Sequence, residues 1–189
     1  MNACVIPARS GSKRLPGKNV KLFFGRPVLW YAIDTAYRTG LFSRVMVSSD
    51  SQDIGRLAQE YGAEWHHRSA RTSDDGANDY AVIQEVLKTV KPDYLCYLYP
   101  ITPLLEPVDL LKGYDMMLSH LWPVVRSTMP NGKDAGAFYW LDCGAEVSEY
   151  SYYNEFAPLP LPEFNCHDVN TLEDWQVMAA KYAAKWVCT

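Results

Sequence analysis

Strand and helix patterns alternate from the first residues of this chain, and that alternation limits the fold more than any other feature. Ala3 to Ala8 is an apolar run of strand type. Pro27 suits the first turn of a helix that puts Leu29, Ala32, Ile33 and Ala36 on one face and ends at Gly40. Val45 to Ser48 is a second short apolar strand, and Ser49 and Gln52 behind it have capping-box spacing. The helix they open carries Ile54, Leu57, Ala58 and Tyr61 on one side and stops at Gly62. Two strand–helix units in succession predict an α/β fold, a mostly parallel sheet with helices on its faces.

The rest of the chain continues the pattern less regularly. Ala63 to His66 reads as a third strand, and the polar stretch after it, through Gly76, is too rich in Ser, Asp and Gly for regular structure. A helix follows from about Asp79, with Ile83, Val86, Leu87 and Val90 in phase. Tyr94 to Tyr99 is a continuous apolar and aromatic run, as a central strand covered on both sides requires, and it ends in the rigid turn Pro100-Ile-Thr-Pro103. Val108 to Leu118 is a weaker helical pattern; Trp122 to Arg126 and Ala137 to Leu141 read as strands. Tyr150 to Pro162, aromatic and proline-rich, fits no element. A last helix starts at Thr171, which has capping-box spacing to Asp174, and its stripe of Trp175, Met178, Ala179, Tyr182 and Trp186 reads as core.

Open α/β sheets bind ligands at the carboxyl ends of their strands, and residues 8 to 19 lie at such an end. They hold Arg9, Lys13, Arg14 and Lys18, with Lys21 and Arg26 just beyond, and no acidic residue precedes Asp34, although the chain's net charge is −4. Local positive charge in an acidic chain points to a polyanionic ligand, although a Lys/Arg-rich turn is also what a solvated surface looks like. Gly11 and Gly17 allow tight turns, and Ser10, Ser12 and free N–H groups are donors for phosphate oxygens. Neither the Walker spacing nor the Rossmann Gly-x-Gly-x-x-Gly is present, so a nucleotide here is held in another way.

Residues 1–189 are most simply one domain, and 48% hydrophobic with 21% charged residues excludes a disordered chain. The five cysteines form no Cys-x-x-Cys pair and indicate neither a disulfide framework nor a zinc site. No run approaches the roughly 18 apolar residues of a membrane span, and no basic face beyond the first loop suggests nucleic acid. A soluble, cytoplasmic protein is expected. Near the C-terminus, Asp168 and Asn170 stand two apart, so in extended chain both side chains point to one side. Two such oxygens suit Mg²⁺ completed by waters and substrate phosphates, and equally suit a braced turn. His66 and His67, as strand neighbours, point to opposite faces and are no metal pair, while His120 and His167 stand alone.

The loop Ala8-Arg9-Ser10-Gly11-Ser12-Lys13-Arg14-Leu15-Pro16-Gly17-Lys18-Asn19 closely resembles the N-terminal signature Ala-Arg-x-Gly-Ser-Lys-x-x-Pro-x-Lys-Asn of the CMP-sugar synthetases for nine-carbon acidic sugars. Every fixed position is filled. The resemblance continues through Arg44 to Asp50, Tyr61 to Ala63, and Arg68 with Thr72 to Asp75. Asp134 to Trp140 and Asp168 to Trp175 are most similar to the pseudaminate branch. It implies a three-layer Rossmann-like nucleotide-diphospho-sugar transferase fold and transfer of CMP from CTP to the anomeric hydroxyl of a nonulosonic acid, with release of pyrophosphate.

By the same resemblance Ala8, Arg9, Ser12, Lys13, Lys18, Asn19 and Arg68 would hold the nucleotide, and Arg9, Lys13, Lys18 and Asp168 would serve catalysis. Tyr99, Thr102, Asp134 and Tyr139 would line the sugar pocket. The family's metal segment is Asp-x-Asp-Thr, so Asp168 carries over as a Mg²⁺ ligand and Asn170 is a neutral replacement. Relatives also carry a longer insertion before Asp134, which supplies part of a homodimer contact, part of the sugar site and an arginine linked to catalysis; Arg126 and Lys133 are the candidates to substitute for it. The short arm keeps two alternatives open: a catalytically impaired nucleotide- or sugar-binding relative, and a cytidylyltransferase for another 2-keto-3-deoxy sugar acid.

Overall fold

The structure is a computed structural model, and it describes residues 1–187 apart from Asp75, His120, Leu121 and His167. Those four, and Cys188, lie outside the described residues. In chain order the strands are β1 (Asn2–Pro7), β2 (Leu22–Phe23), β3 (Arg26–Pro27), β4 (Arg44–Ser49), β5 (Glu64–His67), β6 (Tyr94–Leu98), β7 (Val124–Thr128), β8 (Asp134–Asp142) and β9 (Ala157–Pro160). The helices are α1 (Val28–Arg38), α2 (Gln52–Glu60), α3 (Ala70–Ser73), α4 (Asp79–Val86), α5 (Pro107–Met117), α6 (Glu149–Asn154) and α7 (Leu172–Trp186).

Seven strands form one sheet in the order β5-β4-β1-β6-β8-β7-β9, and β2 and β3 make a separate small hairpin. β1, β4, β5 and β6 run parallel, β8 runs antiparallel to both β6 and β7, and β9 is parallel to β7. Alternation along β1 explains the three layers. Cys4 and Ile6 face Leu29, Ile33 and Ala36 of α1 and Leu110 of α5, while Ala3 and Val5 face Val82, Ile83 and Val86 of α4. All four β1 residues are fully buried. Each large aliphatic side chain so enclosed stabilises the fold by about 1.5–3 kcal/mol. A third apolar cluster joins the hairpin to α7 through Phe23, Tyr31, Trp175 and Met178.

The structure corrects several local expectations. Pro27 closes β3 and stands just outside α1. Ser51, not Ser49, caps α2 and accepts the Ile54 N–H; Ser49 belongs to β4, whose pairing with β5 runs on to His67 and moves the cap two residues along. The polar stretch before Gly76 contains the helical turn α3, because Glu85 accepts from the Ser69 N–H and hydroxyl and from the Thr72 hydroxyl. Tyr150 to Pro162 forms most of α6, opened by a Ser148–Ser151 capping box, and all of β9. Pro158 and Pro160 are tolerated because β9 is an edge strand. Trp186 leaves the core stripe and is 48% exposed, under the Lys185 ammonium.

Packing between α5 and β8 depends on Gly113. A Cβ there would stand 2.7 Å from the Trp140 ring and 2.9 Å from Phe138. Gly113→Ala is therefore expected to destabilise the protein by about 1–3 kcal/mol through overpacking. Urea unfolding checks this; an unchanged midpoint contradicts the packing described.

Candidate functional site

The first loop leaves β1 at its carboxyl end, where Ala8 N–H still bonds Ser48 O at 2.9 Å. The chain then turns: the Ser12 N–H donates to Ser10 O at 3.0 Å, and Gly17, at φ 66°, starts a 3₁₀ turn over Lys18–Val20. Asn19 is buried, and its Nδ2 donates to Arg9 O at 2.9 Å, so the second half of the loop folds back on the first. Its Oδ1 is buried without a hydrogen-bond partner among the described residues. Lys18 reaches across to the C-terminal segment, Nζ to Val169 O at 3.1 Å.

These turns leave a cleft of about 290 Å³ lined by Arg9, Ser12, Lys13, Arg14, Lys18, Asn19 and Asn170. Four lining side chains are cationic and none is acidic. Burial pushes the Lys18 ammonium below its ordinary pKa; Asp168 opposes that shift, and Arg14 and Arg9 add to it. Cations held together in a partly desolvated cleft suit a ligand that brings several negative charges of its own.

Most of the loop residues expected from sequence thus meet, with three qualifications. Ser10, named above as a phosphate donor, has both its N–H and its hydroxyl committed to Asp50, at 2.8 and 2.7 Å. Ala8 is fully buried and contributes backbone only. Arg68 reaches the same sheet edge but is buried, with Nε and Nη2 both donating to Thr72 O, so it braces α3. Arg9 joins that region through Nη1 to Ser73 O at 3.4 Å.

A second group collects where β6 ends and β8 begins. Tyr99 donates to Asp79 and lies 3.4 Å, hydroxyl to hydroxyl, from Tyr139, which donates to Asp134. Tyr97 also donates to Asp79, at 2.8 Å. Burial, then the neighbouring carboxylates, push the Tyr99 and Tyr139 phenols well up, so both stay neutral donors. Thr102 is buried and donates to Tyr99 O at 3.1 Å, holding the Pro100 to Pro103 turn. Asp79 was missed because its position at the start of α4 reads as ordinary helix-end charge. Arg126, a candidate to replace the relatives' arginine, lies away from the cleft: it is buried, Nη2 to Tyr152 O at 2.8 Å, with Phe156 and Tyr139 ring centroids 4.0 and 4.8 Å away. Lys133 is exposed in the turn between β7 and β8.

The two groups touch at Gly136. It has φ +59°, its N–H donates to Asp134 at 2.8 Å, and a Cβ on it would lie 3.7 Å from the Asp168 Cβ. Asp168 is exposed and accepts from Asn170 Nδ2 at 2.6 Å, so both side chains do point to one side. Among the described residues no group of three or more His, Cys, Asp or Glu could hold a metal by itself. A carboxylate and an amide beside a cationic cleft fit a cation that takes its remaining ligands from substrate and water, once the Asn170 amide, whose Nδ2 faces Asp168, turns its oxygen to the ion. No helix among the described residues is long and apolar enough to cross a membrane.

Fold and site together define an α/β protein with a cationic cleft at the carboxyl edge of its sheet. The cytidylyltransferase family profile matches residues 3–124, more than half of the chain, and the chain belongs to that family. It is 38% identical over 125 residues to a pseudaminic acid cytidylyltransferase of Campylobacter jejuni, a match covering 63% of this chain and 54% of that one. An N-acylneuraminate cytidylyltransferase of Escherichia coli is 33% identical over 157 residues, covering 79% of this chain and 37% of its own length. The chain therefore spans about half the length, or less, of these relatives. A solved CMP:2-keto-3-deoxy-manno-octonic acid synthetase complexed with CTP superposes with TM-score 0.75 at 18% identity, over 97% of this chain and 99% of that one. A cytidylyltransferase from Leptospira borgpetersenii gives 0.73 at 19% identity over 95% of this chain and 85% of that one, so the fold extends past the profile match.

The lowered Lys18 pKa sets a pH dependence. Only the protonated ammonium holds phosphate, so the Lys18 contribution to pyrophosphate affinity should be full at lower pH. It should fall as pH rises through the lowered value, below the 10.5 of an ordinary lysine. Lys18→Arg, which stays charged, should move that loss upward; calorimetric titrations that show the same alkaline limb in both proteins contradict the assignment.

Proposed function

We propose that this protein transfers CMP from CTP to the anomeric hydroxyl of a nonulosonic acid and releases pyrophosphate. The observation that carries the reading is the cationic cleft, closed at one side by Lys18 on Val169 O and flanked by Asn170 and Asp168. The named activities of its relatives support the same reaction class. A bond forms between the acceptor oxygen and the α-phosphorus while the bond from that phosphorus to the pyrophosphate oxygen breaks. Such a transfer asks the protein for in-line placement and for positive charge against the triphosphate.

Arg9, Lys13, Arg14 and Lys18 neutralise the phosphates, and Lys18 stabilises the charge that grows on the departing pyrophosphate. Asn19 holds the two halves of the loop together beside the nucleoside through its bond to Arg9 O. Arg68 keeps α3 in place behind the base. Asp168, with Asn170, would hold Mg²⁺, which when bound polarises the α-phosphate and makes the acceptor hydroxyl more acidic. Tyr99 and Asp134 face the acceptor; Tyr139, expected in the pocket wall, is buried and holds Asp134 through its hydroxyl, while Thr102 holds the turn beneath them. We place the protein in the cytoplasm with its nucleotide, as a homodimer with a contact reduced by the short turn between β7 and β8.

Two experiments test this. Purified protein is incubated with CTP, Mg²⁺ and, separately, pseudaminic, legionaminic, N-acetylneuraminic and Kdo acids. Pyrophosphate release is expected with one nonulosonic acid, reduced about 10²–10³-fold in Lys18→Ala and Asp168→Ala. Silence with all four from protein that still binds CTP would favour a binding relative instead, and turnover of Kdo alone would move the acceptor to the eight-carbon acids. Separately, Asn170→Asp restores a second charged oxygen and should lower the Mg²⁺ concentration for half-maximal rate; an unchanged or higher requirement removes Asn170 from the metal shell.

A further inference from the structure

The cationic loop is fastened at its first turn by a carboxylate to which the transfer chemistry gives no part. Asp50 follows β4 directly, and its two oxygens take the two donors of one residue: the Ser10 N–H on Oδ1 at 2.8 Å and the Ser10 hydroxyl on Oδ2 at 2.7 Å. A two-point, charge-assisted contact of this kind fixes orientation as well as distance. It begins where the sheet stops, since the Ala8 N–H to Ser48 O bond is the last rung between the two chain segments before it. Beyond it the Ser12 N–H closes onto Ser10 O at 3.0 Å, so the placement of Ser10 sets the direction in which Ser12 and Lys13 enter the cleft. Burial pushes the Asp50 carboxyl up, but the Ser10 hydroxyl and N–H, with Arg68 nearby, outweigh it and keep the group below its usual pKa.

A fixed negative charge beside a polyanion site costs affinity unless it does something that outweighs the repulsion. We propose that Asp50 is a positioning residue for nucleotide binding: by holding both Ser10 donors it aims Arg9, Ser12 and Lys13 at the phosphates. The proposal rests on the nucleotide reading for what the loop binds, while the latch itself is a property of the ligand-free chain. The two possible roles of this carboxylate predict opposite signs. If it only repels phosphate, its removal tightens CTP binding; if it positions the loop, its removal weakens binding despite the gain in net positive charge.

The test compares wild type, Asp50→Ala, Asp50→Asn and Ser10→Ala by calorimetric CTP titration, thermal unfolding and amide hydrogen exchange of the ligand-free proteins. Asp50→Ala is expected to weaken CTP about tenfold, the loss of about one charge-assisted hydrogen bond, with the unfolding midpoint moved by only a few degrees. Asp50→Asn should recover most of that loss, because its Oδ1 still accepts the Ser10 N–H and its amide can donate to the Ser10 oxygen. Ser10→Ala should lose less than Asp50→Ala, and the Ser10 amide should exchange faster in Asp50→Ala than in wild type. Equal or tighter CTP binding by Asp50→Ala overturns the proposal, as does a Ser10 amide that exchanges equally fast in both. A wild-type chain that binds no CTP refutes the nucleotide reading, and the exchange comparison then decides the latch alone.

Discussion

A lysine ammonium shared by two distant stretches of chain organises the functional end of this molecule. Lys18 belongs to the loop after the first strand, and the carbonyl it meets belongs to Val169, 151 positions later. The ammonium is part-buried among other cations, which costs free energy; Val169 O and the charge of Asp168 offset part of that cost. The contact exists only because the C-terminal segment is anchored. The capping box of Thr171 and Asp174 sets the start of α7, and Trp175 packs edge-on against Phe23 of the hairpin with ring centroids 5.5 Å apart.

Sheet order then decides which side chains reach this point. β1 lies between β4 and β6, so the loops after these parallel strands emerge side by side and bring Ser10, Asp50 and Tyr99 to one edge. β8 runs the other way, so its beginning, not its end, lies at that edge. That reversal carries Asp134 and Gly136 up to Asp168 and the Tyr99 and Tyr139 pair. The left-handed backbone at Gly136, which glycine adopts without strain, lets the two segments approach.

Much of this was legible in the sequence, and what was not has a common cause. Most strands and helices with strong apolar periodicity, from Ala3 to Ala8 through the Thr171 cap, fall within a residue or two of their observed bounds, but β8 starts three residues before Ala137 and α4 stops at Val86, short of Val90. The cationic loop announced itself by charge and glycine placement. Features that depend on a partner far along the chain left no local trace: α3 exists through Glu85, β9 through pairing with β7, and the Ser10 turn through Asp50. Arg68 and Arg126 show the same limit from the other side. As residue types they read as ligand-binding charges, yet the fold spends them on the carbonyls of Thr72 and Tyr152.

The proposed function requires the cleft to recognise a chain of phosphates and not merely a nucleoside. Binding of cytidine, CMP and CTP to the wild-type protein, compared by calorimetry at low and high salt, tests it most directly. CTP should bind at least about tenfold more tightly than CMP, since each further charge-assisted contact is worth about 1.5 kcal/mol or more, and cytidine should bind weakest. Added salt should erode that order. Equal affinity for cytidine and CTP, insensitive to salt, would contradict the account.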